Sequence, residues 1–419
     1  MFKGLKVRIR REIIDEHKNL LSKDEINEKK LRETITRILN DILHREQTVL
    51  SEDDKQKIIC GLVDELIGFG PVDSLFKDPD VTEIMINGPN RVYVERYGKK
   101  ELTDIVFDDE QQLTAFVYRI LAPTHRRVDE SSPFTDLSLK DGSRVNIIIP
   151  PLALDGPTIT IRKFLKEIAK AEDLTRLDTL DQRMADFLVA CIKAKVNIMF
   201  SGATGSGKTT TLNVLSAYIS NSERVVTIED TAELHLAQDH VVRLECRPSN
   251  IEGKGEVTLR DLFKNSLRMR PGRIVLGEVR GAEALDVLQA MCSGHRGALA
   301  VIHASSPQDV VYRLETMALT SGVAINLEAI RRQIAAALNL IIQQEQLADG
   351  SRKITRLTQV NGLRGTEVVL DDIFFYEIEK VDLEGNVTGR YKATGVIPAF
   401  YHLFDKAGII VPKEIFNKD

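Results

Sequence analysis

Asn197-Ile-Met-Phe-Ser-Gly-Ala-Thr-Gly-Ser-Gly-Lys-Thr-Thr-Thr211 decides how the rest of the chain is read. Its apolar lead, Val196 to Phe200, has the length and content of a buried strand. It runs into Gly202-Ala203-Thr204-Gly205-Ser206-Gly207-Lys208-Thr209, which fits G-x-x-x-x-G-K-[ST]. Such a loop needs glycines because backbone N–H groups must turn inward and approach phosphate oxygens with no Cβ in the way. Lys208 is then expected to reach the β- and γ-phosphates, and the Thr209 hydroxyl to bind Mg²⁺. Thr210 continues into a helix whose N-terminus adds the positive end of its dipole. An accidental glycine-rich turn would have no reason to sit between a strand and a run of helix formers. The stretch points to binding of ATP or GTP.

Working outward, 419 residues are more than one domain ordinarily holds, so two or three are expected. Hydrophobic residues at 43% and charged ones at 28% describe an ordinary globular chain. No run approaches the ~20 apolar residues that cross a bilayer. The basic start, Met1-Phe-Lys-Gly-Leu-Lys-Val-Arg-Ile-Arg10, lacks an apolar core and a small-residue cleavage site, so it does not read as a signal peptide. Cys60, Cys191, Cys246 and Cys292 are scattered without a C-x-x-C pair. That argues against a disulfide framework or a zinc site and fits a reducing cytoplasm. A net charge of −5 and a pI near 6.0 offer nucleic acid no bulk attraction.

Residues 1–68 are dense in charge and helical in period. Leu31, Ile35, Ile38, Leu39 and Ile42 recur at spacings of three and four, which puts them on one face. Ser51-Glu-Asp-Asp54 opens a second helix with acids suited to an N-terminus. The region reads as a helical hairpin, with docking of another component as the alternative. Gly68-Phe-Gly-Pro71 breaks the pattern. Short β-like runs then surround one helix near 109–121, which predicts a mixed α/β domain over 69–164 on a largely antiparallel sheet. Residues 165–181 are charged and weakly patterned, as in a linker. Over 182–419 apolar strands alternate with helices, the pattern of a parallel, doubly wound sheet of the RecA-like P-loop NTPase kind, ending in a β-rich tail. The expected fold class is therefore α/β: a helical N-terminal region, a mixed α/β domain, then the NTPase domain.

Three further stretches would converge on a nucleotide at the C-terminal ends of the strands. Val225-Val-Thr-Ile-Glu229-Asp230-Thr-Ala-Glu233 ends a strand in acids that could orient an attacking water or hold Mg²⁺ through its shell, although turn acids are common. Arg273-Ile-Val-Leu-Gly277-Glu278-Val-Arg280 reads as a Walker B strand with Glu278 at its tip. Asp usually precedes that Glu. Gly277 takes its place, so metal support must come from elsewhere, with the acids at 229–233 as candidates. Ser293-Gly-His295-Arg-Gly297 and Ile302-His303-Ala304 bring two histidines beside a strand, where a neutral imidazole can donate to a γ-phosphate or report its loss.

In this order and spacing the four stretches resemble the Walker A, Asp box, Walker B and His box of the type II/type IV secretion ATPases, a family in which Gly-Glu at Walker B is habitual. Arg126-Arg-Val-Asp-Glu-Ser-Ser-Pro133, Asp141-Gly-Ser-Arg-Val-Asn146 and Ile149 to Phe164 are similar to one branch, CpaF/TadA, the motors of tight-adherence (Flp) pili. So are Ala393-Thr-Gly-Val-Ile-Pro-Ala-Phe400 and Ala407-Gly-Ile-Ile-Val-Pro412 in the tail. The resemblance spans about 69 to the C-terminus and leaves residues 1–68 without a matching motif. Arg296 departs from the small or acidic residue usual after the first His-box histidine.

The resemblance implies Mg²⁺-dependent ATP hydrolysis by a homo-hexameric ring, with a hinge about 165–181. One of Glu229, Asp230, Glu233 or Glu278 would polarise the water, Glu233 and Glu278 would lie near the metal, and His295 and His303 would form the His box. Arginines of the N-terminal domain would act across a neighbour's nucleotide, and Arg127, Arg144 and Arg162 are the candidates. A guanidinium suits charge spread over γ-phosphoryl oxygens. The implied partners are inner-membrane pilus platform proteins and, indirectly, pilin. The implied place is cytoplasmic, peripheral to the inner face of the membrane, and the implied work is pilus assembly, with retraction open. Alternatives are a type II secretion ATPase or a conjugation-type type IV secretion ATPase. A RecA-like nucleic-acid motor would need a basic stripe interleaved with aromatics, and aromatics are only 5% of this chain. A nucleotide-gated scaffold without turnover is opposed by the acids at 229, 233 and 278.

Overall fold

The computed structural model describes residues 5–6, 8–9, 12–13, 28–124, 126–139, 141–163, 170–249, 253–382 and 385–419. The chain divides into two compact units, residues 1–164 and 165–419. Among the described residues, no helix is long and apolar enough to cross a membrane.

The first unit begins with helices α1 (Glu28–Arg45) and α2 (Glu52–Ile67). The one-face pattern of α1 is its buried face: Leu31, Ile35, Ile38, Leu39 and Ile42 pack with Ile58, Ile59, Leu62 and Val63 of α2, and Leu5, Ile9 and Ile13 join the same cluster. Ser51 caps α2, its Oγ accepting from the Asp54 backbone N–H at 3.1 Å. After a short helix, α3 (Asp73–Lys77), come β1 (Val81–Asn87), β2 (Val92–Arg96), β3 (Lys99–Leu102), α4 (Glu110–Leu121), β4 (Phe134–Ser138), β5 (Arg144–Ile148) and β6 (Thr158–Arg162). They form a six-stranded sheet in the order β3-β2-β1-β6-β5-β4, antiparallel at every pairing. Ile84, Ile86, Val145, Ile147, Ile159 and Ile161 alternate onto one face and pack with Leu113, Phe116, Val117 and Ile120 of α4. All four residues of β3 are exposed, so it carries no alternation by which to read it as a strand.

The second unit begins where a linker was expected. Residues 165–169 lie outside the described residues, but 171–176 form helix α5 (Ala171–Arg176), and Ala171, Leu174 and Leu180 belong to the core. Charged flanks hid an amphipathic turn. There follow α6 (Gln182–Lys193), β7 (Ile198–Ser201), α7 (Lys208–Ser216), β8 (Val225–Glu229), β9 (Val241–Glu245), α8 (Leu259–Ser266), β10 (Arg273–Leu276), α9 (Glu283–Cys292), β11 (Leu299–Ile302), α10 (Pro307–Leu319), α11 (Leu327–Ala337) and β12 (Leu340–Gln346). The tail adds β13 (Arg352–Arg364), β14 (Glu367–Val381), β15 (Val387–Ala393) and α12 (His402–Ala407).

One nine-stranded sheet runs β15-β14-β13-β12-β7-β11-β10-β8-β9. Pairing is parallel from β9 to β12 and antiparallel from β12 to β15. Each face carries its own apolar core, one including Leu188, Phe200, Leu215 and Phe374, the other Ile228, Leu276, Leu288 and Ile334. The central strands β7, β8, β10 and β11 are buried throughout, as parallel strands covered on both sides must be.

Candidate functional site

The predicted motifs meet along one edge of the large sheet. Gly202 follows β7, Asp230 follows β8, Glu278 comes just beyond β10, and His303 follows β11. These four strands are consecutive neighbours, so Gly202, Asp230, Glu278 and His303 lie at the carboxyl ends, where doubly wound sheets hold ligands. His295 precedes β11 at its amino end, near the start of β10, and is not brought to them.

In the phosphate loop, Gly202, Gly205 and Gly207 hold φ of 151°, 80° and 97°, a region that other residues avoid. The space is equally closed: a Cβ on Gly202 would stand 2.1 Å from the Gln344 carbonyl oxygen, and one on Gly207 2.9 Å from Gln344 Nε2. Lys208 is buried, and its Nζ donates to the Ala203 carbonyl at 2.6 Å. Ser206 is fully buried, and its Oγ has no hydrogen-bond partner. A buried, unpaired hydroxyl is costly, and inside a glycine cradle it fits the oxygens of a phosphate. Ala203 and Thr204 are exposed at the loop tip, and Thr209 and Thr210 are half-buried in the first turn of α7. Among the described residues, no group of three His, Cys, Asp or Glu side chains is arranged to hold a metal, so Glu233 and Glu278 belong to no protein cage. Mg²⁺ commonly binds through one or two protein ligands plus phosphates and waters, a role the Thr209 hydroxyl fits.

The four acids occupy different environments. Glu229 is buried, and its Oε1 accepts from the Glu233 and Leu234 backbone N–H groups, both at 2.8 Å. Its Oε2 is buried without a partner. Burial pushes this carboxyl up to about 7, against the two N–H groups that favour its anion. The same side chain accounts for Gly277, since a Cβ there would stand 2.9 Å from Glu229 Cγ. Asp230 receives Arg280 at 2.8 Å, while Glu233 is half-buried on the loop that Glu229 holds. Glu278 Oε1 lies 3.7 Å from His303 Nε2, both side chains about one-third exposed. The other His-box residue, His295, presents a buried Nδ1 without a partner.

Arg127, Arg144 and Arg162 lie in the first unit. Arg144 on β5 and Arg162 on β6 are directly opposite cross-strand neighbours. Arg162 Nε donates to Glu83 at 2.8 Å. Arg127 sits in the loop before β4, 3.6 Å from Asp129, so the structure pairs two of the three candidates with each other and not the third.

Several contributors carry no motif. Glu283 is buried, and its Oε1 accepts from the Arg280 and Gly281 backbone N–H groups at 2.7 and 2.8 Å, fixing the loop beyond Glu278. Gln344 accepts from Thr211 Oγ1 at 2.8 Å, and Arg352 Nε donates to the Gly205 carbonyl at 2.9 Å. An acid at a helix start was a faint signal for Glu283. Two amides ending the apolar run Leu340-Ile-Ile342 were the signal for Gln344.

Residues 65–366 match the family described as Type II/IV secretion system protein. The chain belongs to that family. A Mycobacterium tuberculosis relative that carries a conjugal transfer name is 31% identical over 307 residues, 72% of this secretion-family chain and 87% of the relative. Type IV secretion system protein PtlH of Bordetella pertussis is 33% identical over 305 residues, 65% of this chain and 88% of PtlH. The crystal structure of the pilus retraction motor PilT with bound ADP aligns at a TM-score of 0.51 and 19% identity, over 70% of this chain and 82% of PilT. At that identity the likeness speaks for the fold, and the second unit of this secretion-family member is RecA-like.

Proposed function

We propose that this chain is a Mg²⁺-dependent ATPase that works as a homo-hexameric motor for assembling a tight-adherence (Flp) type IV pilus. One observation carries the ATPase: Gly202, Asp230, Glu278 and His303, from four motifs far apart in sequence, stand at the carboxyl ends of four adjacent strands, around a glycine cradle with a buried lysine. Lys208 exchanges the Ala203 carbonyl for phosphate oxygens, and the Thr209 hydroxyl holds Mg²⁺. The metal supplies neutralisation of charge that develops on the phosphoryl oxygens. Glu278 orients the attacking water. It is preferred because Glu229 has one oxygen tied to two backbone amides and the other buried, and Asp230 is engaged by Arg280. His303 beside Glu278 donates toward the γ-phosphate and registers its departure. Arg144 and Arg162 of one subunit act on the nucleotide of the next. The two stand directly opposite on adjacent antiparallel strands, so both leave the same face of the sheet, and Arg162 exchanges Glu83 for the anion.

The pilus assignment rests on the resemblance to the CpaF/TadA branch. In that setting the ring sits at the cytoplasmic face of the inner membrane, bound peripherally to platform proteins and acting on pilin through them, without nucleic acid. The conjugal-transfer and type IV secretion names of the relatives favour a second reading, a type IV secretion traffic ATPase built on the same ring. Phosphate release with MgATP on size-fractionated protein tests the shared core. Turnover is expected in the oligomer and lost in Lys208→Ala and Glu278→Gln. Silence of the wild type in every oligomeric state, with ATP and with GTP, would leave a scaffold instead. The pilus and secretion readings separate on which membrane protein, platform or secretion channel, raises turnover.

A further inference from the structure

Gln343 and Gln344 are adjacent on β12, and both are buried, at 1% and 3% exposure. Two amides removed from water, following the apolar Leu340-Ile-Ile342 on the same strand, are costly unless something engages them. Successive strand residues face opposite sides of a sheet, and these two reach different motifs. Gln344 belongs to the phosphate loop: its Oε1 accepts from Thr211 of α7, its carbonyl lies against Gly202, and its Nε2 lies against Gly207. Gln343 belongs to the His box. Its Nε2 donates at 3.4 Å to the carbonyl of Ala304, the residue after His303, and Ser201 Oγ reaches the same oxygen at 3.5 Å. Gln343 Oε1 is buried and accepts nothing.

The ladder is broken at this point. Gln343 pairs with Arg356 and Gln344 with Ile354, which leaves Thr355 as an extra residue on β13. Its hydroxyl donates to Glu345 at 2.6 Å, pinning the irregularity. Bulges beside active sites re-aim side chains, and this one lies where both glutamines leave the strand. The returning strand adds Arg352, which holds the Gly205 carbonyl.

We propose that Gln344 and Gln343 are positioning residues that fasten the phosphate loop and the His-box turn to one hairpin, β12–β13, and so couple both to the antiparallel half of the sheet. Gln344 sets the loop for binding, and Gln343 sets the turn after His303 for turnover. This rests on the site being a nucleotide site.

The test uses the full chain, with affinity read by a fluorescent ADP analogue and kcat by phosphate release. Gln344→Met and Thr211→Val each remove one end of the same bond and are expected to weaken the analogue about tenfold, the size of one lost buried hydrogen bond. Their combination is expected to be no worse than either alone. Thr211→Ser keeps the hydroxyl and is expected to bind as wild type. Gln343→Met is expected to leave affinity unchanged and lower kcat about tenfold. If wild type binds while Gln344→Met and Thr211→Val bind equally well, or if Gln343→Met loses only thermal stability, the inference is overturned. Should Gln344→Met fail to fold, the Thr211→Val and Thr211→Ser comparison decides. A wild type that binds no nucleotide overturns the nucleotide reading itself, a separate result.

Discussion

Gly277 and Glu229 explain each other. Where other Walker B strands place an aspartate, this chain leaves the room empty from one side and fills it from the next strand with the Glu229 side chain. Gly277→Ala is therefore expected to overpack the site and cost about 1–3 kcal/mol, read by chemical denaturation. The loss should shrink when Glu229→Ala removes the obstructing side chain. Glu229 also predicts a pH dependence. Its carboxyl moves from the ordinary 4.5 to about 7 on folding, so the native state holds a proton that the unfolded chain releases. Its contribution is fully present below 4.5 and is lost as pH rises through about 7. Glu229→Gln, measured with chelator present, is expected to flatten the stability profile across that window; an unchanged slope would show that another group sets it. The phosphate loop, Glu278 and His303 were legible because their chemistry is written in adjacent residues. Gln344 and Gln343 showed only as two amides ending an apolar run; their roles were not legible, because their partners lie 133 and 39 residues away.

Among the elements, the parallel strands announced themselves by apolar runs between turn signals, α1 by its spacing and α2 by its acidic start. Short α5 and exposed β3 did not, since neither carries enough apolar period to outweigh its charge. What holds β10 in register was also silent in sequence. Arg273 opens the strand fully buried, donating to the Ile192 and Gly297 carbonyls and pairing with Glu223 at 3.1 Å. Burial works to raise the Glu223 carboxyl, yet hydrogen bonds from Arg273 and Lys195 hold it below its ordinary range. Its stabilisation is thus present above the ordinary carboxylate pKa and is lost as pH falls through the lowered one. Glu223→Gln strands a buried guanidinium and is expected to cost about 3 kcal/mol, the order seen when one partner of a buried pair is removed. A loss under half that size in urea unfolding would mean the carbonyls satisfy Arg273 by themselves. For α6, Asp181 accepts from the Met184 N–H at 2.8 Å, and Asp181→Ala is expected to cost about 1 kcal/mol.

For the whole molecule, two units with separate cores place the phosphate-loop motif in one and an arginine pair in the other. If the proposed ring brings the pair to a neighbour's nucleotide, turnover per subunit rises with protein concentration. Arg144→Ala and Arg162→Ala should then lower turnover while leaving the nucleotide affinity of the isolated subunit untouched. Equal hydrolysis by dilute monomer, or intact turnover in both variants, would place the arginines in ordinary surface pairing. The helical start, the small antiparallel sheet and the parallel strands of the large one each carry their own hydrophobic period, whereas the continuation of that same large sheet by the antiparallel β13–β15 was not legible. The partners that operate between copies leave no such period. Crowding copies of one chain side by side carries a hazard of its own, because an open sheet edge invites the same edge of a sibling to add on as another strand. The small sheet ends on β3, whose exposed residues are Lys99, Lys100, Glu101 and Leu102. The large one ends on β15, where Arg390 and Lys392 are ion-paired to Glu377 of β14. Lysines and arginines along these two edges, with β4 and β9 forming the opposite ones, discourage fibre-like stacking there and leave side-chain surfaces to choose which neighbour is accepted.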